Sequence, residues 1–225
     1  MFNDFGITSK ITFSSVINQR IPYEKVYFEQ TKCWILDPAT TLKACGPDAG
    51  ISIFSLLLTF FEPHGKYLSG DISTGQSEIM FKRGFFRFVK FMQDNRMISK
   101  KFSLPSEVKT NKSIEKSSES PSDCDKIYNW ARCGIMHSGV LSKELVVGVG
   151  NPSHLVFDYH NQIGILLVDP WEMTTALKKY LNVYIKEIEN ESDINLKKNF
   201  MKTFSSLVLE PGYHFSGIIE ETRAR

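Results

Sequence analysis

The tightest constraint in this chain is the run Asp169-Pro170-Trp171-Glu172, because three independent helix-start signals coincide there. Aspartate can cap the first turn, proline suits the first helical position, and a glutamate three residues after the cap can reach back to it. Thr174, Leu177, Leu181, Tyr184, Ile185 and Ile188 then recur at helical spacing and predict the buried face of a long helix. A second helical stretch is expected from about Asp193 to Ser205. The tail from Leu207 to Arg225 contains Pro211-Gly212 and has no strong periodicity.

Earlier in the chain, Asp37-Pro38 repeats the pattern of a cap followed by proline, and Gly46-Pro47 breaks and restarts the helix. These two helical pieces are expected to end near Glu62-Pro63. Between Gln76 and Met97, apolar residues such as Ile79, Phe81, Phe85, Phe88 and Met92 interleave with Lys82, Arg83, Arg87, Lys90 and Arg96. The spacing predicts an amphipathic helix, with Gly84 marking where a kink would fall. Phenylalanines at this spacing read as core residues rather than as base-stacking platforms. The first 36 residues show no clean period of 2 or 3.6 and are poorly specified.

Residues 103–123 are rich in Ser, Lys and Glu and nearly empty of large apolar side chains, so they read as a mobile internal loop. Helical spacing returns over Asp125 to His137, with Asp123 or Asp125 as cap and Ser138-Gly139 as stop. Within 145–168 the runs ELVVGVG, HLVFDY and QIGILLV predict a small antiparallel hairpin or meander. No internal repeat or domain boundary is visible, so residues 1–225 read as one domain.

Composition narrows the functional classes. With 42% hydrophobic and 23% charged residues the chain reads as globular, and a net charge of +2 argues against a broad basic nucleic-acid surface. Four cysteines without a CxxC pair, and no secretion or transit signal, point to a reducing, cytoplasmic setting. The most apolar stretch, Ile51 to Phe61, is interrupted by Ser52, Ser55 and Thr59 and is too short to span a membrane. Gly148-Val149-Gly150 runs into Asn151-Pro152 rather than into a helix, which discounts a phosphate-cradling loop.

The chemistry-bearing segment is Tyr128 to Gly139, which holds Arg132 and His137 in an Arg-x4-His arrangement at the end of a helix. Metal-free RNA cleavage needs a base near the ribose 2′-OH and a cation near the phosphate, and imidazole and guanidinium supply both. On an ideal α-helix a five-residue step turns about 500°, leaving the two side chains roughly 140° apart. His137 is therefore expected in a loosened last turn. Asn129 and Ser138 are candidate substrate contacts on the same segment. Cys133 and His137 share a face, as do Asp158 and His160 across a strand, with His154 nearby. Two such ligands alone hold no zinc, so no metal or cofactor is expected; a buried cysteine and solvated loop-edge residues are the readings preferred.

The Arg132-to-His137 motif resembles that of the HEPN superfamily, and the order of helices over residues 37–204 is similar to its architecture. The resemblance implies a mainly α helical bundle with the β excursion inserted before a long C-terminal helix. It also implies a homodimer whose paired motifs line one cleft, and a metal-independent endoribonuclease of the toxin or antiviral-defence kind, acting on RNA and held by an antitoxin or other protein partner. The alternative is a catalytically silent module that binds RNA or a protein. Cys133 favours the alternative, since catalytic members usually carry Asn, Asp or His directly after the Arg, and so does the near-neutral charge.

Overall fold

Asp169 does what its sequence context predicts. In the computed structural model its carboxylate accepts from the backbone N–H groups of Trp171 (2.9 Å) and Glu172 (3.1 Å) and opens α8, Pro170–Glu189. The structure describes residues 8–18, 20–103, 122–138, 141–151, 153–160, 165–190 and 193–209, without the side chains of 13, 17, 136–138, 208 and 209. The described part is mainly helical. The expected buried face of α8 is buried throughout, and Asp193 caps α9, Ile194–Phe204, as the second helix.

The poorly specified N-terminal region supplies α1, Phe13–Ile17, and α2, Tyr23–Thr31. A π-helical turn over Lys32–Leu36 links α2 to α3, Asp37–Leu42. Asp37 is thus not a cap: it lies inside a continuing helical path and pairs with Lys32 at 2.5 Å. The widened turn falls just ahead of Pro38, whose missing N–H and ring both interrupt the i→i−4 ladder.

As expected, Gly46, at φ +83, breaks the path and α4 begins at Gly50. The expected stop at Pro63 is corrected. α4 ends at Leu58 and α5, Phe61–Ser69, starts before the proline. Pro63 occupies the first turn, where its absent N–H would have had no intrahelical partner.

α6 spans Ser77–Asp94 without a break at Gly84. Gly84 instead permits close approach to α5. A Cβ there would stand 2.1 Å from the Phe61 carbonyl oxygen, and one on Gly65 would stand 1.9 Å from that of Met80. Phe81, Phe85 and Phe88 are fully buried, in keeping with their reading as core.

The sheet has three strands: β1, Leu145–Val147, β2, Phe157–His160, and β3, Ile165–Val168. β2 and β3 form the expected antiparallel pair. β1, however, lies parallel to β3 on its other side, so the sheet is mixed, in the order β1-β3-β2, and not a meander. Asp169 again explains this. Its second carboxylate oxygen takes the N–H groups of Gly150 (3.1 Å) and Asn151 (3.2 Å), fastening the end of β1 beside the end of β3.

Most of the segment read as a loop, residues 104–121, lies outside the described residues. Its two ends are joined directly: the Ser103 N–H donates to Asp123 at 2.6 Å and the Asp123 N–H donates to the Ser103 hydroxyl at 3.0 Å. The Tyr159 hydroxyl and Lys126 also donate to Asp123, which is buried. Among the described residues no helix is long and apolar enough to cross a membrane.

Candidate functional site

The Arg-x4-His segment begins from a reciprocal cap. Ser122, rather than Asp123 or Asp125, is the cap of α7, Asp123–Lys126. The Asp125 N–H donates to the Ser122 hydroxyl at 3.2 Å, and the Ser122 N–H donates to the Asp125 carboxylate at 3.0 Å. Lys82 of α6 then pairs with Asp125 at 2.7 Å. The acidic residues are thus occupied in fixing the start of the helix, at its positive end.

From Ile127 to Ser138 the chain continues as a π-helix. Ile127 and Ala131 are buried beneath it, and the Tyr128 ring lies 5.2 Å from that of Phe81. Such windings are rare and recur at functional sites. The wind changes the relation between the motif residues. Extrapolating from 3.0 and 3.6 residues per turn for the i→i+3 and i→i+4 helices gives roughly 4.2 for i→i+5, so a five-residue step turns about 430°. The backbone positions of Arg132 and His137 then fall within roughly 70° of each other, half the α-helical separation. The whole segment is widened, in place of the single loosened last turn expected at His137. Asn129 is exposed, and Ser138 ends the helix.

Arg132 reaches back toward α5. Its guanidinium lies 3.2 Å from the Glu62 carboxylate, and both side chains are about one quarter exposed. The other oxygen of Glu62 accepts from the Ser77 hydroxyl at 2.8 Å. Beside this pair, between α4, α5 and the π-helix, is a cavity of about 270 Å³. Leu58, Pro63, Ala131 and Ile135 form its apolar walls, and Ser55 and Thr59 bring hydroxyls. Those hydroxyls donate to the carbonyls of Ile51 and Leu56, at 2.7 and 2.6 Å, which leaves oxygen lone pairs to accept from a ligand.

Cys133 is half-buried and lies beside Tyr128. Burial first, and then this thiol, raise the Tyr128 phenol above its ordinary range. Among the described residues no group of three or more metal-capable side chains occurs. His154 is exposed, adopts φ +54 and lies 3.7 Å from Glu172. Asp158 accepts from the Ser153 hydroxyl at 3.0 Å, and His160 is exposed at the end of β2. None of the three lines the cavity.

Two residues that sequence reasoning passed over stand out. Glu62, read only as a helix end, is the ion-pair partner of Arg132. His64 is fully buried, with Nδ1 3.0 Å from the Tyr27 hydroxyl and Nε2 2.6 Å from that of Tyr180. Burial, with a smaller push from Arg87, lowers its pKa to about 3, so it is neutral. A neutral imidazole has one donor and one acceptor, and two tyrosines satisfy both. The signal available in the sequence was the aromatic setting of His64, between Phe60, Phe61 and Tyr67.

Compared with protein-family models, curated proteins and solved structures, the chain matches none of them.

Proposed function

We propose that this protein is a metal-independent RNA endonuclease of the HEPN type, with Arg132 gripping the phosphate and His137 acting as base. The observation that carries the reading is the π-helical wind, which brings the backbone positions of an Arg-x4-His pair, roughly 140° apart on an α-helix, to within about 70° of each other, with Arg132 on the wall of a cavity.

In the reaction His137 takes the proton of a ribose 2′-OH and the 2′-oxygen attacks phosphorus. The bond to the 5′-oxygen breaks, that oxygen leaves with a proton from water, and the product is a 2′,3′-cyclic phosphate. Arg132 stabilises the charge that builds on the phosphoryl oxygens. Asn129 and Ser138 contact the substrate. Two copies pairing motif to motif would double the cationic groups around one cleft, which favours a homodimer. The reading carries with it a cytoplasmic toxin or antiviral effector held in check by a partner protein.

The test is RNA cleavage in the presence of EDTA. His137→Ala should reduce turnover roughly 10²-fold or more while RNA binding is largely kept. Arg132→Ala should reduce both, turnover the more. A specific observation favours a second reading, a silent RNA- or protein-binding module: Arg132 already has a carboxylate partner in Glu62, and Cys133 follows it. Wild-type protein that binds RNA without cutting it at any pH, with or without metal, decides for the module.

A further inference from the structure

We infer that the cavity beside Arg132 is a pocket for one unstacked RNA base and selects guanine through Glu62; this rests on the reading of the chain as an RNA-acting protein. Size comes first. About 270 Å³ lies just under the usual range of small-molecule sites and is room enough for a single heterocycle.

Wall chemistry comes second. Leu58, Ala131 and Ile135 present apolar surface to a planar ring, while among the described lining side chains Glu62, Arg132, Ser55 and Thr59 carry the hydrogen-bonding groups. Single-stranded RNA is read in this manner, by splayed bases recognised on their Watson–Crick edges.

The identity of the base follows from the carboxylate. Among the described residues each oxygen of Glu62 has one partner, Ser77 on one and Arg132 on the other. Each oxygen retains a further acceptor position. Guanine alone among the four bases offers two adjacent donors, N1–H and the 2-amino group, matching two carboxylate oxygens. Adenine and cytosine set one amino donor beside a ring acceptor, and uracil sets its single N–H between two carbonyls. Each of these would bring an acceptor against the anionic oxygens. Arg132 stands at the same pocket, so a phosphate next to the bound base comes within the guanidinium's neighbourhood.

The experiment is calorimetric titration of the intact protein with the 3′-monophosphates of guanosine, adenosine, cytidine, uridine and inosine. Guanosine monophosphate should bind at least about 10-fold tighter than the other three standard nucleotides, and inosine, which lacks the 2-amino group, roughly 10-fold more weakly than guanosine. Glu62→Gln replaces one acceptor by a donor and should abolish the preference. Ser55→Leu fills the cavity from the partly exposed side of α4 and should weaken every nucleotide, with circular dichroism unchanged. Equal affinity for all five nucleotides, or a guanine preference that survives Glu62→Gln, overturns the assignment. These results are separable from cleavage: selective guanine binding without RNA cutting sinks the nuclease reading alone, and RNA cutting without base discrimination sinks the pocket alone.

Discussion

The two sides of α5 are built on opposite rules. Toward α6 the helix closes to backbone contact, with Gly65 against the Met80 carbonyl and Gly84 against that of Phe61. Toward the π-helix the same short element leaves a cavity and a partly exposed ion pair, Glu62 with Arg132. Dense packing leaves no volume for a ligand, and open packing gives up dispersion contacts that stability would otherwise gain. The contrast sets close backbone packing on one face of α5 against open space and exchangeable polar contacts on the other.

The largest effect is expected on the closed face. Gly84→Ala would place a methyl group within 2.1 Å of a backbone oxygen that no side-chain rotation can move aside. Separating the two helices should cost about 3 kcal/mol, outweighing the ~1 kcal/mol that alanine gains in helix propensity. Gly65→Ala should behave alike. Urea unfolding measures both, and a stability within about 0.5 kcal/mol of wild type would mean the two helices do not touch there.

These differences explain what could be read from the letters. Asp169 acts through neighbours in sequence, so its cap and the buried stripe of α8 were legible. The caps of α7 and α3 went wrong at the level of single residues, because Ser122, Asp123 and Asp125 all have capping side chains, and Asp37-Pro38 looks the same with or without a helix running into it. The Arg132-to-His137 spacing was visible, but its phase was not: apolar periodicity presumes 3.6 residues per turn, and nothing in Ile127 to Ser138 announces a wider wind. Glu62 precedes Arg132 by 70 residues, and that pairing depends on how α5 docks. The parallel placement of β1 likewise depends on the long-range contacts of Asp169 with Gly150 and Asn151.

An intermediate effect is expected from His64, the buried polar group of α5. Its surroundings are the phenols of Tyr27, Tyr67, Tyr180 and Tyr184, with Arg87 and Glu187 reaching in from α6 and α8. The unfolded chain takes up a proton below about pH 6.5, whereas the folded imidazole resists until about 3. The unfolded state therefore binds more protons in that window, and stability falls as pH drops through it. Between pH 7 and 5 the loss from this one group should be about 2 kcal/mol. Asp123 and Asp125 are held below their ordinary values, so the stability they contribute is present above the unfolded carboxylate range and is lost only at lower pH. Paired urea curves at pH 7 and 5 test the loss, and an imidazole NMR signal for His64 that titrates above pH 5 would refute it.

The smallest effect belongs to the open face, and it sharpens the comparison most. Arg132 and Glu62 are each about a quarter exposed, joined by one contact at 3.2 Å, so water and salt screen their attraction. A double-mutant cycle with Arg132→Met and Glu62→Gln should return a coupling in stability below about 1 kcal/mol, shrinking further at high salt. If the pair holds the π-helix in place as α6 is held by its glycines, the coupling will exceed about 2 kcal/mol and resist salt, since only a desolvated pair behaves so. A small coupling in stability, together with a large change in RNA binding for Arg132→Ala, would mean that the contact is exchangeable. The carboxylate would then hold the guanidinium in position in the free protein and yield it to a phosphate at little expense to the fold.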